Sequence, residues 1–191
     1  MPFQESEYTQ LRAWAAPVRD LLMARLGDAR GVHLETTVSG IAAVAGCLLL
    51  RSTNVQLDKL THGQAVFVET VDGLGREHFE FLSTACVALG VEPLRGWTDP
   101  VPAPNEPRKT ILELTGLLEP DFVALCDRLG VPVPSRARLA SFTALSLIKE
   151  CQAMLRPEVG KGILLTAVVA GAKTVPHPLR STKNILSQSA T

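Results

Sequence analysis

The sequence predicts a single all-α domain of about six or seven helices, and three observations carry that expectation. Apolar residues recur three and four apart along several stretches, which places them on one face of a helix. Two stretches rich in glycine and alanine are apolar on nearly every side, the mark of a helix buried around most of its circumference. Leu89-Gly90-Val91 and Leu129-Gly130-Val131 each end a periodic run on a glycine followed by an apolar residue, with Pro93 and Pro132 close behind. That is the pattern of a helix stopped by a left-handed glycine. The expected organisation is one helical domain over residues 1–175, interrupted by a proline-rich connection at 92–107, and a C-terminal tail over 176–191.

The bulk numbers agree with a compact domain. The chain has 191 residues, 46% of them hydrophobic and 20% charged, and a chain of this size buries roughly 70% of its unfolded surface without help from disulfides or metal. Nineteen basic residues balance nineteen acidic ones, so the charge gives no footprint for a polyanion and no nucleic acid is expected as a partner. From Cys151 onward, Arg156, Lys161, Lys173, Arg180 and Lys183 outnumber Glu158, a mildly basic stretch read as a solvated surface. The four cysteines, Cys47, Cys86, Cys126 and Cys151, are far apart and form no C-x-x-C pair. They read as reduced, buried thiols of a cytoplasmic protein. The start of the chain is acidic and lacks the pattern of a secretory signal. The longest apolar run, Val38 to Leu50, falls short of the ~20 residues that cross a bilayer, so no membrane is expected.

Each element has its own warrant. A first helix is expected over about Glu7–Leu26, with Tyr8, Leu11, Ala15, Val18 and Leu22 on one stripe. Pro17 should kink it or divide it in two. A second helix, His33 or Leu34 to about Arg51, carries Gly40, Ala42, Ala43, Ala45 and Gly46 in its middle. Glycine costs about 1 kcal/mol there relative to alanine, and close approach of another backbone would offset it. The last helix, opened by Pro157, repeats the feature with Gly160, Gly162, Ala167, Ala170 and Gly171. The two small-residue helices are therefore expected to pack centrally, against each other or across an oligomer interface.

Between them, Ala65 to Val71 is rich in β-branched residues and is followed by Asp72-Gly73, a turn signal. A small β-hairpin near residues 65–82 is one reading. The preferred one is a short extended segment and then a helix from about Arg76 to Leu89, because a continuous helix would have to carry both Gly73 and Gly75. After the proline-rich connection, Asn105 is expected to cap a short helix to about Leu117, and Pro120 to open another ending at Leu129. Ser135 is expected to cap a helix from Arg136 to Leu155. The tail beyond Val175 should pack little or drape over the surface.

For chemistry, the densest set of candidate metal ligands is His62, Glu69, Asp72, Glu77, His78 and Glu80, with His33 and Glu35 near in sequence. Imidazole and carboxylate together can hold zinc, iron or manganese, but the spacing matches no ligand motif, and surface charges flanking a turn explain it more simply. Ser39 lacks a G-x-S-x-G elbow. Asp72-Gly73-Leu74-Gly75 lacks the remainder of any phosphate-loop fingerprint. Arg95 and Trp97, in the stiff connection, combine two residue types favoured at partner contacts, although a loop tryptophan commonly anchors on its own core. Three functional readings follow: a non-enzymatic protein that binds a partner or another copy of itself, a metal-binding protein or metal-dependent enzyme using the 62–80 cluster, and a carrier of a small apolar ligand between helices.

Overall fold

A computed structural model of the chain describes residues 5–67, 69–92 and 101–179. Six helices follow one another: α1 (Glu5–Leu26), α2 (Leu34–Arg51), α3 (Glu69–Ala88), α4 (Ile111–Arg128), α5 (Val133–Glu150) and α6 (Pro157–Ala172). Single 3-10 turns lie at Leu57–Lys59 and Ala103–Asn105. Among the described residues there is no sheet, only isolated bridges such as Ala65 to Thr174. The fold is all-α.

The centre is α2, packed most extensively on α6 and then on α5 and α4. By length and composition it is the one described helix apolar enough to cross a membrane, yet fourteen of its 18 residues are buried inside the bundle. Its glycines explain the approach of α6. A β-carbon on Gly46 would overlap the Val168 carbonyl oxygen and stand 2.6 Å from the Ala172 nitrogen, and one on Gly171 would overlap the Ala43 carbonyl. The two small-residue helices meet backbone to backbone within one chain.

Around this axis the apolar stripes are buried as their spacing requires. Leu11, Ala15, Val18 and Leu22 of α1 face inward, as do Leu139, Phe142, Leu145 and Ile148 of α5. The ring of Tyr8 meets Phe142 edge-on at 5.5 Å. Gly90 and Gly130 adopt φ of +65° and +67°. The amides of Val91 and Val131 fold back onto the carbonyls of Cys86 and Cys126, both at 2.9 Å, which satisfies carbonyls that a helix end leaves open.

The structure departs from several of these expectations. No hairpin forms at 65–82: the extended residues pair with the chain leaving α6, through Gly63 N–H to Val175 O, Val175 N–H to Gln64 O and Val66 N–H to Lys173 O, each 2.9 Å. Helix α3 then starts at Glu69 and runs through Gly73 and Gly75. Burial of Phe81, Leu82, Ala85 and Cys86 on its inner face outweighs the roughly 1 kcal/mol that each glycine costs. Helix α1 is one element through Pro17, so the division into two shorter helices does not occur. Helix α4 is likewise continuous through Pro120, because Leu114, Leu118, Phe122 and Leu125 form one buried stripe on both sides of the proline. Its cap is Thr110, in a capping box with Glu113, while Asn105 sits in a 3-10 turn. Helix α5 begins with Val133 and Pro134 and ends at Glu150.

Residues 176–179, the described part of the tail, drape over the bundle. Arg51 donates to the His177 carbonyl at 2.6 Å, and the His177 ring fills the space above Gly116.

Candidate functional site

Among the described candidates, His33 and Glu35 are brought together, whereas His62 and His78 lie in separate surroundings. His33 is the N-cap of α2: its Nδ1 accepts from the Thr36 amide at 3.3 Å and faces the Thr36 hydroxyl at 2.7 Å. The proton then sits on Nε2, 3.4 Å from a Glu35 oxygen; this tautomer is assigned from the bonding pattern. Glu35 also accepts from the Asn105 amide at 3.0 Å. These two residues join the connection before α4 to the start of α2. His62 is exposed, its ring 5.4 Å from that of His177 and its Nδ1 3.3 Å from the Pro176 carbonyl. Glu69 is exposed at the first turn of α3. Asp72 lies in α3 with its side chain outside the described residues. Arg95 and Trp97 also lie outside them. Among the described residues, no three His, Cys, Asp or Glu side chains come together as a metal-holding group. Of the described members of the 62–80 cluster, His62 and His78 are held apart, because α3 turns His78 inward while His62 stays with the chain leaving α6.

His78 is the candidate that lines the cleft between α2, α3, α4 and α5. It is 4% exposed, and its Nε2 is 2.7 Å from the Ser141 hydroxyl of α5. Burial first, and the nearby Arg138 cation second, push its pKa from 6.5 down to about 4. The imidazole is thus neutral at physiological pH. A histidine facing a serine resembles a base and its nucleophile, but Ser141 is completely enclosed and no substrate could reach its oxygen. The pair acts as a polar tie between α3 and α5.

Helix α3 has a cleft on either side. One, of about 570 Å³, lies between α2, α3, α4 and α5. Leu48 and Leu49 of α2, Leu74 of α3, Val123 of α4 and Ala137 of α5 give it apolar walls, and Leu179 from the tail lines it as well. Its polar groups are His78, Ser52, Glu77 and three arginines: Arg51, Arg136 and Arg138. The other cleft, of about 640 Å³, lies between α3 and α6 and shares Leu49. Phe79, Val168, Val169 and Ala172 make it apolar, with Arg76, Glu80 and Lys173 among its polar groups. A smaller cleft of about 340 Å³ at the corner between α1 and α2 is lined by Arg30, His33, Arg108 and Lys109 among others, and those two arginines and the lysine are exposed.

The arginines were not singled out by the sequence, nor was the buried carboxylate behind one of them. Glu119 is 2% exposed and takes both bonds of a fork from Arg51, at 2.5 and 3.0 Å. Its signal was present in the pattern: Thr115, Leu118 and Phe122 define the buried stripe of α4, and Glu119 falls on it. Three of the four thiols, Cys47, Cys86 and Cys126, are buried as expected and withdrawn from chemistry, whereas Cys151 is only half-buried because it caps the end of α5. Burial pushes Cys86 and Cys126 up to about 11, and burial together with the Glu119 charge raises Cys47 further.

Comparison of the chain with protein-family models, with characterised proteins and with solved structures finds no match.

Proposed function

We propose that this protein is a non-enzymatic binding protein that carries a small molecule with an apolar body in the cleft between α2, α3, α4 and α5. The observation that carries this reading is a cleft of about 570 Å³ with aliphatic walls drawn from four helices. Ligand sites commonly span about 300–1,000 Å³ and combine apolar walls with a few polar groups. Two further facts favour binding over chemistry. Ser141 is sealed away from the cleft, and burial holds Cys47, Cys86 and Cys126 protonated. The glycine faces that suggested self-association are occupied within the chain by the contact of α2 with α6, so they no longer supply an argument for an oligomer.

The test is native mass spectrometry of the purified protein for a retained small molecule, combined with titration of an environment-sensitive apolar dye. Val123 lines the cleft and is only partly buried, so Val123→Trp should fill the space without emptying the core. Saturable dye binding that Val123→Trp abolishes, with the melting temperature retained, supports the reading. Absence of both retained ligand and saturable binding, or binding indifferent to Val123→Trp, overturns it.

A further inference from the structure

We infer that the ligand of this cleft carries an anionic head, a carboxylate on an apolar chain, and that Arg138 is the residue that receives it. The inference rests on the ligand-binding reading above and names the ligand class. Three guanidinium groups line the cleft against one carboxylate, Glu77. Their other acid partners, Glu119, Asp127 and Glu7, are not among its lining residues. The three arginines are not equally committed. Arg51 is engaged by both Glu119 oxygens and by the His177 carbonyl. Arg136 spends Nε on the Val131 carbonyl and Nη2 on Asp127. Among the described residues, Arg138 gives Nη1 alone, to Glu7 at 3.0 Å, although a guanidinium has five N–H donors in a fork that matches a carboxylate.

That bond is also the exchangeable one. The Arg138 and Glu7 side chains are 44% and 36% exposed, and a pair so open to water contributes little. A ligand carboxylate entering a cleft with apolar walls could replace Glu7 and make a two-pronged bond in drier surroundings, where charge-assisted bonds are stronger. The Arg138 guanidinium stands over the Phe81 ring at 5.5 Å, which orients it. Its positive field reaches the cleft wall, since it disfavours the protonated form of His78.

The experiment is calorimetric titration of the full chain with three amphiphiles of equal chain length, decanoate, decanol and decyltrimethylammonium, near neutral pH where the acid is ionised. Decanoate is expected to bind about tenfold more tightly than decanol, and the ammonium compound most weakly. Arg138→Gln should bring decanoate to within about threefold of decanol, and Arg138→Lys should retain part of the preference. Circular dichroism and melting checks establish that each variant is folded. Binding of all three without head-group preference overturns the anionic head, and a decanoate preference that survives Arg138→Gln overturns the role of Arg138; both leave the ligand-binding reading standing. Failure of all three to bind overturns the ligand-binding reading as well.

Discussion

Gly46 of α2 lies so close to Val168 of α6 that a single added carbon would overlap the Val168 carbonyl oxygen. The obstacle is backbone, which cannot rotate away as a side chain would. Overpacking a core usually costs 1–3 kcal/mol, and Gly46→Ala should fall at or above the top of that range, about 3 kcal/mol. For a chain of this size that corresponds to a fall in melting temperature of about 6–12 °C. A differential scan measures it, and a shift below a few degrees would contradict the packing described.

Gly73 and Gly75 make the opposite case. A β-carbon at either position meets nothing within 4 Å, and neither residue has positive φ. Alanine should therefore stabilise α3 by about 0.5–1 kcal/mol at each position through helix propensity and a less flexible unfolded chain. Chemical denaturation of the single and double variants checks this. Destabilisation would mean that the start of α3 is not helical.

Acid should loosen the attachment of α3 to α5. The pKa of His78 is lowered from 6.5 to about 4 in the folded protein, so below pH 6.5 the unfolded chain binds a proton that the folded one refuses. The stability from this group is fully present above about pH 6.5 and is lost as pH falls toward about 4, a change of about 3 kcal/mol. Burial first and the Arg138 cation second oppose protonation, and Arg51, Arg136 and Glu77 are the other charged groups lining the same cleft. Replacing the tie with His78→Leu and Ser141→Ala together should flatten the stability profile over that window. An unchanged profile would remove His78 as its source.

Breaking the Arg51–Glu119 pair from one side should cost more than removing it whole. Glu119 is 2% exposed, whereas the Arg51 side chain is 21% exposed, so Arg51→Met strands a carboxylate in the interior at about 3 kcal/mol. Adding Glu119→Leu to that variant should recover part of the loss. A double-mutant cycle measures the coupling, and strictly additive effects would show that the two groups do not act as a unit.

Much of the architecture was legible in the sequence because it is written in local spacing. The buried runs of α2 and α6 and the stops at Gly90 and Gly130 each follow from side chains within one or two turns. What the sequence concealed is decided by partners distant in the chain. Gly73 and Gly75 signal a turn by themselves, yet the burial of Phe81, Leu82, Ala85 and Cys86 keeps their segment helical. Pro120 reads as a helix start until the stripe from Leu114 to Leu125 is seen to pass through it. For the candidate site, His78 could be named but not its partner Ser141, 63 positions away. The approach of Arg51, Arg136 and Arg138 to one cleft depends on how α2 and α5 are set beside α3, and no local pattern records that.

Residue-by-residue amide shifts of the isotope-labelled protein during titration with decanoate bear most directly on the cleft as a ligand site. The account predicts saturable shifts concentrated at Leu48–Ser52, Leu74–His78, Val123 and Arg136–Arg138, the segments that line it. Shifts centred on Arg30, His33 and Arg108 at the α1–α2 corner, or no saturable shifts at all, would contradict it.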